Sequence, residues 1–97
     1  MIILYAVKKT RIGIIALRIY LSRMTLYEFN ALNIEERAAV AMQGNFVDVR
    51  LEESLKVALY SHPEFYSEVF YNGDSNQIVR CRAFTSAVPL AAYIHLN

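Results

Sequence analysis

Residues 44–84 constrain the fold most, because they alternate short apolar runs with turn-forming connectors. Four runs, at 46–51, 55–59, 65–71 and 77–84, are rich in Val, Leu, Phe and Tyr, which favour the half-buried surface of a sheet. The connectors are three to five residues long, and the last two contain the Pro, Gly, Asn and Asp that turns need. Connectors this short join neighbouring antiparallel strands. The stretch therefore predicts a four-stranded antiparallel β-meander.

Alternation along each strand assigns the side chains to two faces of the predicted sheet. The first face is apolar except for one serine, so its burial should fix the register; it contains Val47, Val49, Leu51, Leu55, Val57, Leu59, Phe65, Ser67, Val69, Tyr71, Val79, Cys81 and Ala83. On this register Phe65 and Val69 should be core residues. Glu68 should be exposed, in an ordinary cross-strand ion pair opposite Arg80.

The flanking segments predict helices. Thr25 with Glu28, and Asn33 with Glu36, have the capping-box spacing that begins a helix, which predicts helical stretches over 26–32 and 34–43. Gly44 then ends the second stretch, as glycine commonly does at a helix C-terminus. After the sheet, a serine cap and an early proline predict a short helix over 87–95. We expect an α+β domain over 24–97, with the N-terminal helical segment and the C-terminal helix packed on one face of the sheet.

Residues 1–23 form a basic, apolar extension with five basic residues and no acid, whereas residues 24–97 contain five basic and nine acidic residues. Its longest uncharged interior run, 12–17, is far shorter than the roughly 20 residues of a membrane helix. No signal-peptide cleavage pattern follows it. Three interpretations stay open: a stretch outside a natural protein that starts at Met24, a basic membrane-surface segment, or a structural element. We expect a 24–97 fragment to fold without it.

Size and composition fit one small globular domain. The 97 residues are 56% hydrophobic and 20% charged, which excludes a disordered tail. A single cysteine permits no internal disulfide and no multi-cysteine zinc site, so we expect a cytoplasmic protein in a reducing compartment. Because residues 24–97 carry more acid than base, a general nucleic-acid-binding surface is disfavoured.

Several short stretches resemble a family of small, uncharacterised bacterial proteins. They are Thr25-Leu26-Tyr27-Glu28-Phe29, Gly44-Asn45-Phe46-Val47 with Arg50, Lys56-Val57-Ala58-Leu59-Tyr60, Phe65-Tyr66-Ser67-Glu68-Val69, and Ala83-Phe84. The resemblance covers most of residues 24–97, and in that family a methionine near Met24 opens the chain. This chain departs from the pattern at Ser67, where a Val-like residue is typical. The resemblance implies a helix, meander, helix fold and no known activity.

Candidate catalytic and metal-binding residues are few. Cys81 faces the covered side of the predicted sheet, which indicates a buried apolar role rather than a reactive thiol. His62 and His95 are not at metal-ligand spacing from other His, Cys or carboxylate residues, and we expect both to face solvent. Glu52 and Glu53 are adjacent in a turn, where their side chains point apart and nothing raises their pKa. We expect no catalytic residues, no cofactor and no metal.

The second face of the predicted sheet is the candidate interaction face. It mixes large apolar and charged side chains: Phe46, Arg50, Lys56, Tyr66, Glu68, Phe70, Ile78, Arg80, Arg82 and Phe84. A patch of this kind exceeds what soluble monomers usually expose, so we expect a non-enzymatic interaction module that binds a protein partner or forms a homodimer. The alternative is a nucleic-acid-binding domain that stacks bases on the aromatic residues of the same face.

Overall fold

The computed structural model describes residues 24–94, which form an open antiparallel sheet with short helices. The elements are helices α1 (Leu26–Asn30) and α2 (Ile34–Ala41), strands β1 (Asn45–Glu52), β2 (Leu55–Ser61), β3 (Tyr66–Asn72) and β4 (Gln77–Phe84), and a C-terminal 3₁₀ helix (Val88–Tyr93). The strand order is β1-β2-β3-β4, each strand antiparallel to its neighbour. The predicted α+β meander is confirmed.

Both helices begin at the predicted capping boxes. Thr25 accepts from the Glu28 amide and Asn33 from the Glu36 amide, and each glutamate side chain accepts from its cap residue in return. These reciprocal bonds satisfy backbone donors that a helix N-terminus otherwise leaves without partners. The helices end at Asn30 and Ala41, two residues earlier than predicted in each case. Local sequence therefore sets where each helix starts.

The register of β2 is the main departure from the predicted sheet. Glu52 pairs with Leu55, so the turn has two residues rather than three, and Arg50 pairs with Val57. Paired residues share a face, which moves Val57 and Leu59 to the second face and Lys56 to the first. Register shifts at Phe46/Asp48 and Phe70/Tyr71 likewise place Phe46 and Ile78 on the first face. Assignment of Phe46, Lys56 and Ile78 to the second face was wrong.

The main core lies between the helices and the first face of the sheet. Phe65 and Val69 are 4% and 3% exposed, which confirms that both are core residues. The buried cluster around them consists of Met24, Phe29, Ala38, Val40, Ala41, Phe65, Val69 and Cys81. Helices α1 and α2 lie against β4, and α2 also contacts β3. We call this covered side the helix face.

The C-terminal 3₁₀ helix packs on the opposite face, so the expectation that all helices share one face was wrong. Tyr93 and Leu90 pack with Leu59 and Phe84, whose side chains point away from α1 and α2. Pro89 lies in the first turn, as predicted, but the segment is a 3₁₀ helix that ends at Tyr93. The second face thus has a small core of its own.

The extension at residues 1–23 and His95 lie outside the described residues, as do the expectations placed on them. Between residues 24 and 94, no helix has the length and apolar character needed to cross a membrane.

Candidate functional site

The structure brings seven of the ten predicted interaction residues together on the second face: Arg50, Tyr66, Glu68, Phe70, Arg80, Arg82 and Phe84. Phe46, Lys56 and Ile78 lie on the helix face instead. The second face is also less open than predicted, because Phe70, Phe84 and Glu68 are buried.

Glu68 is the centre of a buried polar cluster. Its side chain is fully buried, and its carboxylate accepts from Arg82 Nε at 2.5 Å, from the Tyr93 hydroxyl at 2.5 Å and from Arg50 Nη2 at 3.3 Å. The expectation that Glu68 is exposed was wrong, and its cross-strand partner is Arg82 rather than Arg80. A buried carboxylate is tolerated only when it is paired and hydrogen-bonded in this way.

Burial and the neighbouring charges change the pKa values of Tyr93 and Arg50 in this cluster. Burial raises the pKa of Tyr93, and the hydrogen bond to Glu68 raises it further, so the phenol stays protonated and donates. Burial alone would lower the pKa of Arg50, but the hydrogen bond to Glu52, the adjacent Tyr93 and the charge of Glu68 raise it. Because three donors occupy the Glu68 carboxylate, it is not a free general base.

Phe70 lies beside this cluster and is surrounded by guanidinium groups. Its ring is 1% exposed, and Arg80, Arg50 and Arg82 lie 5.0, 5.9 and 5.9 Å from its centroid. Cation–π contacts of this kind are favourable, but they leave little of the ring for another molecule. We therefore expect Phe70→Glu to unfold the protein rather than to disrupt an exposed surface.

His62 and Ser67 form a hydrogen-bonded pair on the helix face, with Nε2 and Oγ 2.7 Å apart. His62 is half-buried and its ring stacks on Phe65 at 4.5 Å, so the expectation that His62 faces solvent was wrong. Burial lowers its pKa. Ser67 is fully buried, so its hydroxyl has no room for substrate although a base lies beside it.

Gly44 has no side chain and so leaves room for the His62 imidazole. An added Cβ at Gly44 would lie 2.6 Å from the His62 ring and 2.7 Å from the Ser61 carbonyl oxygen. Gly44 does not have a positive φ, so a glycine is required here for close approach rather than for backbone conformation.

Cys81 is 3% exposed, and burial raises the pKa of its thiol to about 12. The nearby charge of Arg37 opposes this effect only in part. The thiol is therefore protonated at neutral pH and unreactive, in agreement with the predicted apolar role.

Strand β1 carries four of the ten large apolar side chains that are exposed among residues 24–94. Its side chains Phe46, Val47, Val49 and Leu51 are 61%, 50%, 46% and 74% exposed. We call these four residues the β1 patch. They contain every apolar residue of the strand.

An open groove of about 850 Å³ lies between α2 and the part of the helix face that the helices leave uncovered. Its apolar lining comes from both layers: Ile34, Ala38, Met42, Val49, Ala58, Val69 and Ile78. Lys56, Tyr71, Asn76, Gln77 and Glu35 add polar groups, and Tyr60 lines it as well. Burial raises the pKa of Tyr60.

Sequence reasoning missed the cluster at Glu68 and the pair at His62 and Ser67. The cluster depends on contacts between residues far apart in the chain, such as Tyr93 with Glu68, whereas His62 and Ser67 are only five residues apart and are brought together by the turn between β2 and β3. One signal was present: Ser67 and Glu68 stand side by side in the most apolar strand, where polar residues need buried partners. Among residues 24–94, no group of three or more His, Cys, Asp or Glu side chains is placed to hold a metal.

Comparison of the chain with models of protein families, with curated proteins and with solved structures finds no match.

Proposed function

We propose that this protein is a non-enzymatic interaction module of the cytoplasm that self-associates through the β1 patch. The observation that carries the proposal is the exposure of all four apolar side chains of an eight-residue strand. Exposed apolar area on the order of several hundred Å² is unusual on a monomer that has no partner. The burial of Ser67 and the saturation of Glu68 support a role without catalysis.

A second copy is the partner that fits the patch best. Phe46, Val47 and Leu51 carry no charge, so two copies of the patch can meet across a two-fold axis without opposing like charges. The Asp48 carboxylate accepts from the Val49 amide, which occupies a backbone donor beside the patch. We therefore infer contact through side chains rather than through an added strand.

Nucleic-acid binding on the second face remains the alternative, and the geometry favours it less. Base stacking needs accessible aromatic faces, but Phe70 and Phe84 are 1% and 9% exposed. Arg50 and Arg82 are already bound to Glu68. Arg80 is exposed and Tyr66 is half-buried, and each contacts an aromatic ring of the same face.

Sedimentation velocity of the full chain tests the proposal. We expect a dimer at about 100 μM that dissociates on dilution to the low micromolar range, as an interface of modest area does. Leu51→Lys should give a folded monomer, because a desolvated ammonium would oppose association. Val88→Lys is the matched control: Val88 is 79% exposed but lies on the 3₁₀ helix, so the dimer should persist.

A monomeric parent protein at about 100 μM, or equal dissociation by both variants, would contradict the proposal. A salt series separates it from the alternative. Apolar association should change little between about 50 and 200 mM salt, whereas binding of a labelled single-stranded oligonucleotide should weaken steeply.

A further inference from the structure

We propose that the groove between α2 and the sheet binds a small amphipathic anion, an acyl chain with a carboxylate head. Ligand sites in proteins are mostly apolar cavities of roughly 300–1,000 Å³ with a few polar groups that orient the ligand. A groove of about 850 Å³ with an apolar floor and polar residues at one end has that composition.

The polar groups gather at one end because of the strand register. Lys56, Tyr71 and Ile78 lie in one row across the sheet, next to the two hairpin turns. Asn76 and Gln77 belong to the β3–β4 turn and the start of β4, at the same end. The groove is thus polar at the hairpin turns.

The opposite end is apolar. Ala58 and Val69 form the middle row of the floor, and Tyr60 lies two residues beyond Ala58 on β2. Met42, at the end of α2, borders this part of the groove and has the flexible side chain that adapts to an apolar ligand. Lys56 to Tyr60 spans roughly 13 Å along the strand, a length that suits an extended acyl chain.

The charge of Lys56 favours a ligand with an anionic head group. Lys56 is exposed, and its ammonium has no ion-pair partner within the described part of the chain. Glu35, the acidic residue at this groove, already takes part in an interaction. A carboxylate at the polar end would pair with Lys56. The side-chain amides of Asn76 and Gln77, which also line the groove, would donate hydrogen bonds to it.

Calorimetric titration of the full chain tests the site with three probes that share one tail. Decanoate should bind saturably at one site per chain below its micelle concentration. Decanol should bind about tenfold more weakly, and decyltrimethylammonium more weakly still, because only the carboxylate gains from Lys56. Lys56→Met should weaken decanoate about tenfold and leave decanol unchanged.

A variant that fills the groove gives the steric test. Ala58→Phe puts a large side chain on the groove floor, at a strand position where aromatic residues are favoured, and should abolish binding of decanoate and decanol. Met42→Phe serves if circular dichroism shows that Ala58→Phe does not fold. Val88→Lys, on the other face, should bind like the parent.

Three results would overturn the site: no saturable binding, equal affinity for decanoate and decyltrimethylammonium, or full binding by a folded groove-filling variant. Self-association has a separate readout, since Leu51 does not line the groove. A chain that binds decanoate but sediments as a monomer would contradict only the dimer, and a dimer without decanoate binding would contradict only the ligand site.

Discussion

Strands β1 and β3 have similar apolar content, but β1 is largely exposed and β3 is largely buried. All apolar residues of β1 are 46–74% exposed, whereas β3 buries four residues in succession, Ser67 to Phe70, two of them polar. Glu68 of β3 is fully buried, while Leu51 of β1 is 74% exposed. Position in the sheet has therefore decided burial more than the polarity of the side chain.

The difference follows from what covers each strand. β3 has neighbours on both edges, α2 on one face, and partners from the 3₁₀ helix on the other. Its polar side chains have specific partners: the Arg50, Arg82 and Tyr93 donors for Glu68, and His62 for Ser67. β1 is an edge strand, and helices α1 and α2 lie against the opposite half of the sheet. Its apolar side chains therefore remain exposed.

The largest contrast is expected between two phenylalanines. Phe70→Ala in β3 should lower the free energy of unfolding by about 3–5 kcal/mol, because it empties a buried site. Phe46→Ala in β1 removes a side chain that is 61% exposed and should cost less than about 1 kcal/mol. Urea unfolding at a low protein concentration, where association does not contribute, measures both. Equal losses would mean that β1 is part of the core.

A buried glutamate in β3 and an exposed glutamate in β1 test the same comparison of the two strands. Glu68→Ala should cost about 3 kcal/mol, because the change leaves buried donors of Arg50 and Tyr93 without their acceptor. Glu52→Ala breaks the exposed half of the same network, its ion pair with Arg50, and should cost less than about 1 kcal/mol. If urea unfolding shows a loss below 1 kcal/mol for Glu68→Ala, the buried cluster described here is wrong.

The hydrogen-bonded pair of His62 and Ser67 predicts that the stability of the folded protein depends on pH. Burial lowers the pKa of His62 in the folded protein, while the unfolded chain keeps the ordinary value near 6.5. The unfolded state therefore binds a proton more readily, so His62 contributes its stability in full above pH 6.5 and loses it as the pH falls below that value.

Unfolding of the parent and His62→Gln between pH 5 and pH 8 measures this contribution. The parent should lose more stability than the variant on acidification, and their difference isolates His62 from the carboxylates common to both. Identical pH profiles would show that the imidazole is not desolvated.

The smallest effect concerns the hairpin turns. Glu53, after β1, and Asn76, before β4, both have φ of 56°. A residue with a long side chain is strained there, whereas asparagine is tolerated. Glu53→Gly should stabilise by about 0.5–1 kcal/mol and Asn76→Gly by less, as measured by thermal unfolding. Destabilisation by Glu53→Gly would show that the Glu53 side chain makes contacts that outweigh the strain.

The fold was largely predictable because its signals are local. Capping boxes at Thr25 and Asn33, turn residues and apolar runs each act over a few residues. The register of β2 was not, because it depends on whether the β1–β2 turn has two or three residues. Glu53 in a left-handed conformation makes the two-residue turn possible, and nothing in a glutamate indicates that conformation.

The candidate sites were less predictable because they depend on which layer covers which half of the sheet. Exposure of Phe46 follows from the position of α2 over β3 and β4, and burial of Glu68 follows from the docking of Tyr93. The prediction of an apolar interaction surface remains, but the residues that could form it have moved from the second face to the β1 patch.

Side chains bond to backbone groups on both edge strands of the sheet. Arg37 donates to the Cys81 carbonyl of β4 and to the Leu32 and Asn30 carbonyls, which fastens the loop between α1 and α2 beside that edge. On the other edge, the Asp48 carboxylate holds the Val49 amide. Unpaired edge groups are the templates on which strands of other chains add in fibrils. With side chains bonded to backbone groups at both edges, fewer donors and acceptors are left there for a strand of another chain.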